Sequence, residues 1–419
     1  MRQANEAANL RISGPRLLSR LEVLGRIGDT GDGGVCRLAL SDEDRLGRDQ
    51  LVAWMRELDL EVHIDPIGNI VGVMAGETDG PAVMLGSHID TVGTGGRYDG
   101  ALGVMAGLEV IATLREAGFR PRRPIAIMAF TGEEGARFAP DLLGSCVWTG
   151  DMSVEEAYAI KDQAGLTVGD EVRRIGYAGS AAPGCVKTDA YVELHIEQGP
   201  VLDHSGGGVA AVTGVQAITW LEATVSGEPN HAGTTPMDVR RDANYAAARL
   251  MVAARDLTKT ISGLRVNSGR FRTEPGNVNV VARQAVFSLD MRHPDDAPLT
   301  HAEAQMREAA AQIAASENVT ITFSDLARFP ATPFDERIVS KVEAAAKRLG
   351  YPVRRMPSGA GHDAQMMAGF VPTAMIFVPS INGRSHTPDE ETRSEDVIAG
   401  ANVLLSVALD LAQGDMSGR

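Results

Sequence analysis

Four short stretches of the chain carry side chains able to hold a metal: His88-Ile89-Asp90, Asp99 in a glycine-rich loop, Glu133-Glu134, and His195-Ile196-Glu197. Neutral imidazoles combined with carboxylates suit zinc and neighbouring divalent metals. Residues two apart on an extended segment face the same way, so Asp90 is placed to orient His88. Taken alone, His-x-Asp is more often a turn histidine beside a solvated aspartate. Asp99 shifts that balance: it follows Asp90 by nine residues, within Gly95-Gly96-Arg97-Tyr98-Asp99-Gly100. It suits either a helix N-cap or a carboxylate bridging two cations. Adjacent glutamates leaving an apolar run repel each other unless a proton or a cation intervenes. A chemically sensible division lets Glu134 bind metal while Glu133 accepts a proton from activated water. A solvated surface pair is the alternative, weakened by the apolar run before it. Glu197 faces the same way as His195 and suits a supporting position. His386, before Thr387-Pro388, has no spacing signal; such a histidine is usually a turn residue.

Elements must hold these groups in place. Apolar runs at Ala82–Leu85, Ile125–Phe130, Tyr191–Leu194 and Thr373–Val378 read as strands, and three of them lead directly into the polar clusters. Helices are expected from about Gly100, where Leu102, Met105, Leu108 and Ile111 share a face, and from Ser394. Ser41 with Asp44 resembles a capping box before another helix. Short continuous apolar strands alternating with helices indicate an α/β sheet covered on both faces. Ligands collect beyond the carboxyl ends of such strands. From about Gly214 to Leu326 the pattern changes. Strands are expected at Ile218–Val225, Asn277–Val281 and Ala285–Asp290, and helices at Arg241–Leu257 and Ala302–Ser316. This is an α+β insert, giving a discontinuous domain of residues 1–213 and 327–419 around an inserted domain of 214–326.

The 419 residues suit two domains, and 44% hydrophobic residues supply ample core. The net charge of −15, with no basic stripe, disfavours nucleic acid and anionic membranes as partners. Cys36, Cys146 and Cys185 form no C-x-x-C pair and leave an odd count, against both a disulfide framework and a thiolate zinc site. The first residues lack the apolar core of a signal peptide, and no stretch is long enough to span a bilayer. A soluble, cytoplasmic protein is expected.

With these residues assembled, the chain resembles the M20 metallopeptidase superfamily, specifically its amidase, hydantoinase and carbamoylase branch. The carrying motifs are GSHIDTV (Gly86 to Val92), GGRYDGALGV (Gly95 to Val104), FTGEEGARF (Phe130 to Phe138) and ELHIEQGPVL (Glu193 to Leu202). They continue with GEPNHAGTTPM (Gly227 to Met237), GNVNVV (Gly276 to Val281), DMR (Asp290 to Arg292), SGAGHDAQ (Ser358 to Gln365) and SHTPDE (Ser385 to Glu390). The ordered set spans nearly the whole chain.

The resemblance implies a catalytic domain with a mixed sheet flanked by helices, carrying an inserted α+β lid that also forms a homodimer interface. It implies two divalent metal ions (zinc, manganese, cobalt or nickel). His88, Asp99 and His195 would hold one; Asp99, Glu134 and His386 would hold the other, with Asp99 bridging. Glu133 would be the general base, and Asp90 would hold His88. His231, which by position alone is an ordinary loop residue, would become a lid histidine stabilising an oxyanion. Arg292 and Asn279 would grip a substrate carboxylate, with Gln216 and Gly361 as weaker contacts; His362-Asp363 suits a helix cap equally well. The implied reaction is hydrolysis of the carbamoyl C–N bond of an N-carbamoyl-L-amino acid or similar ureido acid, releasing ammonia, carbon dioxide and the amino acid. Allantoate amidohydrolase and β-ureidopropionase activities are neighbours within the branch. A dipeptidase or N-acyl amino acid deacylase is more distant, because many M20 peptidases place an acidic ligand where this chain has His195. A non-catalytic protein that kept the fold is disfavoured by Glu133 and the complete ligand set.

Overall fold

The apolar runs become the interior of one large sheet in the computed structural model, which describes residues 9–414. Sixteen strands follow in chain order: β1 (Glu61–Ile64), β2 (Ile70–Met74), β3 (Ala82–His88), β4 (Ile125–Phe130), β5 (Thr188–Ile196), β6 (Val209–Val215), β7 (Ala217–Ser226), β8 (Asn230–His231), β9 (Arg265–Asn267), β10 (Phe271–Glu274), β11 (Val280–Val281), β12 (Gln284–His293), β13 (Thr320–Phe329), β14 (Thr332–Pro333), β15 (Val353–Ser358) and β16 (Thr373–Val378). The large sheet runs β1-β2-β4-β3-β5-β16-β6-β14, with β15 also pairing β6.

Its centre is parallel. β4, β3, β5 and β16 all run one way, with β2 and β6 antiparallel at their flanks. β3, β4 and β16 are buried along their whole length, as strands covered on both faces must be. Parallel strands deliver their carboxyl ends to one edge. His88 therefore ends beside Phe130, and His195 lies in register with Phe377. Three chemically loaded loops that are far apart in sequence leave from that edge.

The helix Ala101–Glu116 is buried from Ala101 through Leu114 and packs on β3, together with the helix Ser394–Gln413. Close approach explains its glycines. A Cβ on Gly103 would stand 2.6 Å from the Leu194 carbonyl oxygen and 2.9 Å from the Ser87 Cβ. Ser41 caps the helix Asp42–Glu57 by accepting the Asp44 N–H. The return half of the expected capping box is different: the Asp44 carboxylate accepts the Leu40 N–H at 2.7 Å, one residue earlier.

The chain divides into one unit of residues 1–214 with 333–419, and a second of 215–332. The expected boundary at 326 falls inside β13, which stays laddered to β7 through Phe329. That stretch is largely exposed, so no apolar pattern marked it. The second unit has an antiparallel sheet, β10-β12-β7-β13 with β9 on β12. The helices Ala243–Asp256 and Asp296–Glu317 pack against it over a core that includes Leu221, Phe287, Leu250 and Met306. The strand expected over Asn277–Val281 shrinks to β11, because residues 277–279 form an exposed loop. Arg292 lies within β12, not after it. No described helix is long and apolar enough to cross a membrane.

Gly103→Val forces a branched side chain into the backbone of β5. It should lower stability by about 1–3 kcal/mol through overpacking, read as a lower urea midpoint at unchanged m-value. An unchanged midpoint would refute the close helix–sheet approach.

Candidate metal centre

His88 and His195 are fixed from behind. Nδ1 of His88 lies 2.9 Å from the Asp90 carbonyl oxygen, and Nδ1 of His195 lies 2.8 Å from the Ile196 carbonyl oxygen. A carbonyl only accepts, so each Nδ1 carries a proton, and each Nε2 is left as the atom that could hold a metal once unprotonated. The two Nε2 atoms converge on Asp99 Oδ1, 3.8 Å from His88 and 3.1 Å from His195. The other Asp99 oxygen faces His386 Nε2 at 3.1 Å, and His386 Nε2 is 3.3 Å from Glu134 Oε2. Two donor sets result, His88/Asp99/His195 and Asp99/Glu134/His386, each with its ligating atoms within 4.8 Å of one another. They share Asp99, one carboxylate oxygen on each side.

The loop carrying Asp99 is tightly specified. Glu390 accepts the N–H groups of Tyr98 and Asp99 at 3.0 and 3.1 Å. Gln198 and Ser385 donate to Asp99 Oδ2 at 2.8 and 3.1 Å. Gly100 has φ +62°, and a Cβ there would stand 2.3 Å from His88 Nε2, filling the space that nitrogen faces. Asp99 does not cap the following helix; Gly100 occupies that position. His386 and Gln198 both adopt left-handed backbone at φ +57°, a conformation that costs a non-glycine residue energy and clusters at functional sites.

Asp90 holds a loop as well as a histidine. Its carboxylate accepts the N–H groups of Gly132, Glu133 and Glu134 at 3.0, 3.3 and 3.4 Å. The carboxylate stands 3.9 Å from His88 Nδ1, so its main-chain carbonyl is the nearer partner of that ring. Glu133 Oε2 lies 3.4 Å from His88 Nε2, beside the first donor set.

The electrostatics call for positive charge. Burial pushes Glu133 well above the ordinary carboxylate range, helped by the charges of Asp363, Glu134, Asp99 and Asp90. Glu134 is likewise raised, by burial and then by Asp99. Burial opposes ionisation of Asp99 too, but hydrogen bonds from His195 and His386 hold it well below its usual value. Burial disfavours a charged His195, yet Asp99 outweighs that and lifts it to about 9; Asp99 also lifts His386 to about 9. In this arrangement protons occupy places where divalent cations would supply the same charge. His88 Nε2 and Glu134 Oε1 are buried with no hydrogen-bond partner. Unpaired buried polar atoms are costly, and both aim at the cluster, so the donor set fits metal.

Several participants lie within the motifs quoted above but were given no role from the sequence. Gln198, Ser385 and Glu390 act by bracing Asp99, and residue type alone does not distinguish a brace from a surface group. Glu197, expected near the centre, instead caps the turn Val201–His204 by accepting the Val201 and Leu202 N–H groups at 2.8 and 2.6 Å. Glu193, His195 and His362 form a third possible donor set. Its members are largely satisfied already: Glu193 accepts from Ser87, Tyr191 and the Ala364 N–H at 2.8, 3.1 and 3.0 Å. His362 precedes the helix Asp363–Phe370, but its side chain makes no capping bond. Its Nε2 lies 2.9 Å from Ser358 Oγ, and its ring stands edge-on to His195 at 4.5 Å. Gly361 lies in the same loop.

The remaining candidates belong to the second unit. His231 on β8 pairs with Val280 on β11, beside Asn279, whose carbonyl accepts the Ala232 N–H at 2.9 Å. Arg292 is oriented by Asp290 through Nε and Nη2, at 2.9 and 2.8 Å. Gln216 is buried and accepts from Arg265 at 3.3 Å.

The family model "Peptidase family M20/M25/M40" matches residues 84–410. An N-carbamoyl-L-amino-acid amidohydrolase of Rhizobium meliloti is 38% identical over 97% of this chain and 98% of its own length. An allantoate amidohydrolase of Bacillus subtilis is 33% identical over 94% of this chain and 96% of its own. A crystal structure of an amidase of the hydantoinase/carbamoylase family from Burkholderia multivorans superposes with a TM-score of 0.93 at 40% identity, covering 97% of this chain and 100% of that one. Fold and full-length similarity together show that this chain belongs to the M20/M25/M40 peptidase family, in the hydantoinase/carbamoylase group of metal-dependent hydrolases.

Proposed function

We propose that the chain hydrolyses the carbamoyl C–N bond of an N-carbamoyl-L-amino acid or a close ureido acid, releasing ammonia, carbon dioxide and the amino acid. The observation that carries this reading is the pair of donor sets meeting at Asp99 with Glu133 beside the first. Full-length similarity to an N-carbamoyl-L-amino-acid amidohydrolase supports the substrate class. Allantoate is the second reading, favoured by the similarity to an allantoate amidohydrolase.

Two divalent cations, one per donor set, would supply a water of lowered pKa and polarise the carbonyl. The nitrogen and oxygen donors suit zinc, manganese, cobalt or nickel. Glu133 takes the proton of the attacking water and returns it to the leaving nitrogen as the C–N bond breaks. Burial, which raises its proton affinity, suits both halves of that task. His231 is the proposed donor to the developing oxyanion. Arg292 and Asn279 are the proposed grip on the substrate carboxylate, with Gln216 and Gly361 as further contacts. The planar guanidinium pre-oriented by Asp290 suits bidentate recognition. Exposed Met237, Val239, Tyr245 and Val252 favour the second unit as a homodimer interface. Three unbonded cysteines accord with a cytoplasmic setting.

An ammonia-release panel on metal-reconstituted protein tests the reaction. N-carbamoyl-L-amino acids should be turned over faster than allantoate, N-carbamoyl-β-alanine or dipeptides, and cleavage of dipeptides alone would overturn the proposal. Glu133→Gln should cut kcat by roughly 10²–10⁴-fold with metal content unchanged; near-wild-type turnover would remove Glu133 as the base. Cations that bind only the folded state stabilise it, so chelation should lower Tm and metal should restore it. A Tm indifferent to both would contradict a built metal centre.

A further inference from the structure

The loop that carries Glu133 is held by a buried network reaching well beyond the metal centre. The ladder between β2 and β4 ends at Ile70 opposite Ala129. Beyond it, the Thr131 N–H has no strand partner. The Asn69 side chain takes over: Oδ1 accepts the Thr131 N–H at 2.9 Å. Its amide nitrogen donates to Asp65 Oδ2 at 2.7 Å and to the Gly144 carbonyl at 2.9 Å. One fully buried amide thus ties three segments together, with both of its hydrogens and its oxygen in use. Arg48, also buried, donates to the Thr131 hydroxyl at 3.1 Å, to the Gly68 carbonyl at 2.5 Å and to Asp44 at 2.8 Å. From the other side, the Leu142 and Leu143 N–H groups bind the Glu133 and Gly132 carbonyls at 2.9 and 3.2 Å. There is no slack, since a Cβ on Gly144 would meet the Thr131 nitrogen at 2.4 Å and Asn69 Oδ1 at 2.5 Å.

We infer that Asn69, seconded by Arg48 through the Thr131 hydroxyl, is a positioning residue that fixes where Glu133 stands against the site. Asp90 is the pivot that gathers the amides of residues 132–134, but none of its bonds reaches Thr131. Asn69 and Arg48 pin Thr131, the residue before that pivot, and so set the direction in which Glu133 leaves the strand. Neither residue touches a metal ligand through any hydrogen bond described above. The inference rests on Glu133 being the base.

The test is a double-mutant cycle on the full chain, with N-carbamoyl-L-alanine and ammonia release as the assay and bound metal measured alongside. Displacing a catalytic group by about 1 Å costs on the order of a hundredfold in rate. Asn69→Ala should lower kcat about ten- to a hundredfold with KM within about threefold and metal content unchanged. In the Glu133→Gln background it should cause no further loss, because the group it positions is already gone. Thr131→Val, which removes the hydroxyl that Arg48 holds, should give a smaller loss of the same kind, and Thr131→Ser should restore activity. This pair serves if Asn69→Ala does not fold. An unchanged kcat, an equal loss in both backgrounds, or a loss that tracks metal content overturns the positioning role. If Glu133→Gln alone keeps its turnover, the base assignment fails instead, which is a separate outcome.

Discussion

Burying several carboxylates side by side is the constraint from which the rest of this structure follows. Asp90, Asp99, Glu133 and Glu193 are all nearly inaccessible, and each loses hydration that its charged form needs. The protein answers each one differently. Asp90 receives three backbone N–H groups, and Glu193 a hydroxyl, a phenol and a helix N–H. Asp99 faces imidazoles on both oxygens. Glu133 has no such answer and keeps a high proton affinity. It stands 3.4 Å from His88 Nε2, beside the first donor set.

The fold makes this burial affordable by topology. Four parallel strands end at one edge, so residues separated by a hundred positions or more meet without long reaches. The loops beyond that edge are then fixed by polar side chains with no chemical task. Glu390 gathers the amides before Asp99, Asp90 gathers those around Glu133, and Asn69 pins Thr131. Glycine appears where a side chain would occupy the ligand space, as at Gly100, or block a helix from its sheet, as at Gly103. Preorganisation of this kind is what a metal site needs if its ligands are to keep their geometry.

Much of this was legible in the residues. The buried strands announced themselves as continuous apolar runs, and the polar clusters directly after three of them marked the edge where His88, Glu133, Glu134 and His195 gather. The insert was visible as a change of pattern. Its far boundary was not, because the later part of β13, residues 325–329, is largely exposed and loses the apolar alternation of Ile321 and Phe323. Arg292 was expected after a strand and lies inside one, since hydrogen bonding to β7 and β9 continues past the last apolar side chain. Glu197 was expected near the centre and caps a turn, because shared facing does not say which backbone amides lie within reach.

The sequence by itself determined the chemistry available: residue types, their spacing along extended segments, and the apolar runs that bury them. Ordered motifs carried the family. Spacing never marked His386, which only the motif resemblance named; the tertiary structure brings it to the cluster through a left-handed turn, with Asp99 and Glu134 arriving from other loops. The division of Asp99 between two donor sets, one oxygen each, likewise exists only in three dimensions. The braces Asn69, Gln198 and Glu390 are ordinary polar residues along the chain. They acquire a role from the particular buried amide or carboxylate left without a partner, and hydrogen-bond satisfaction is a property of the packed structure, not of local sequence.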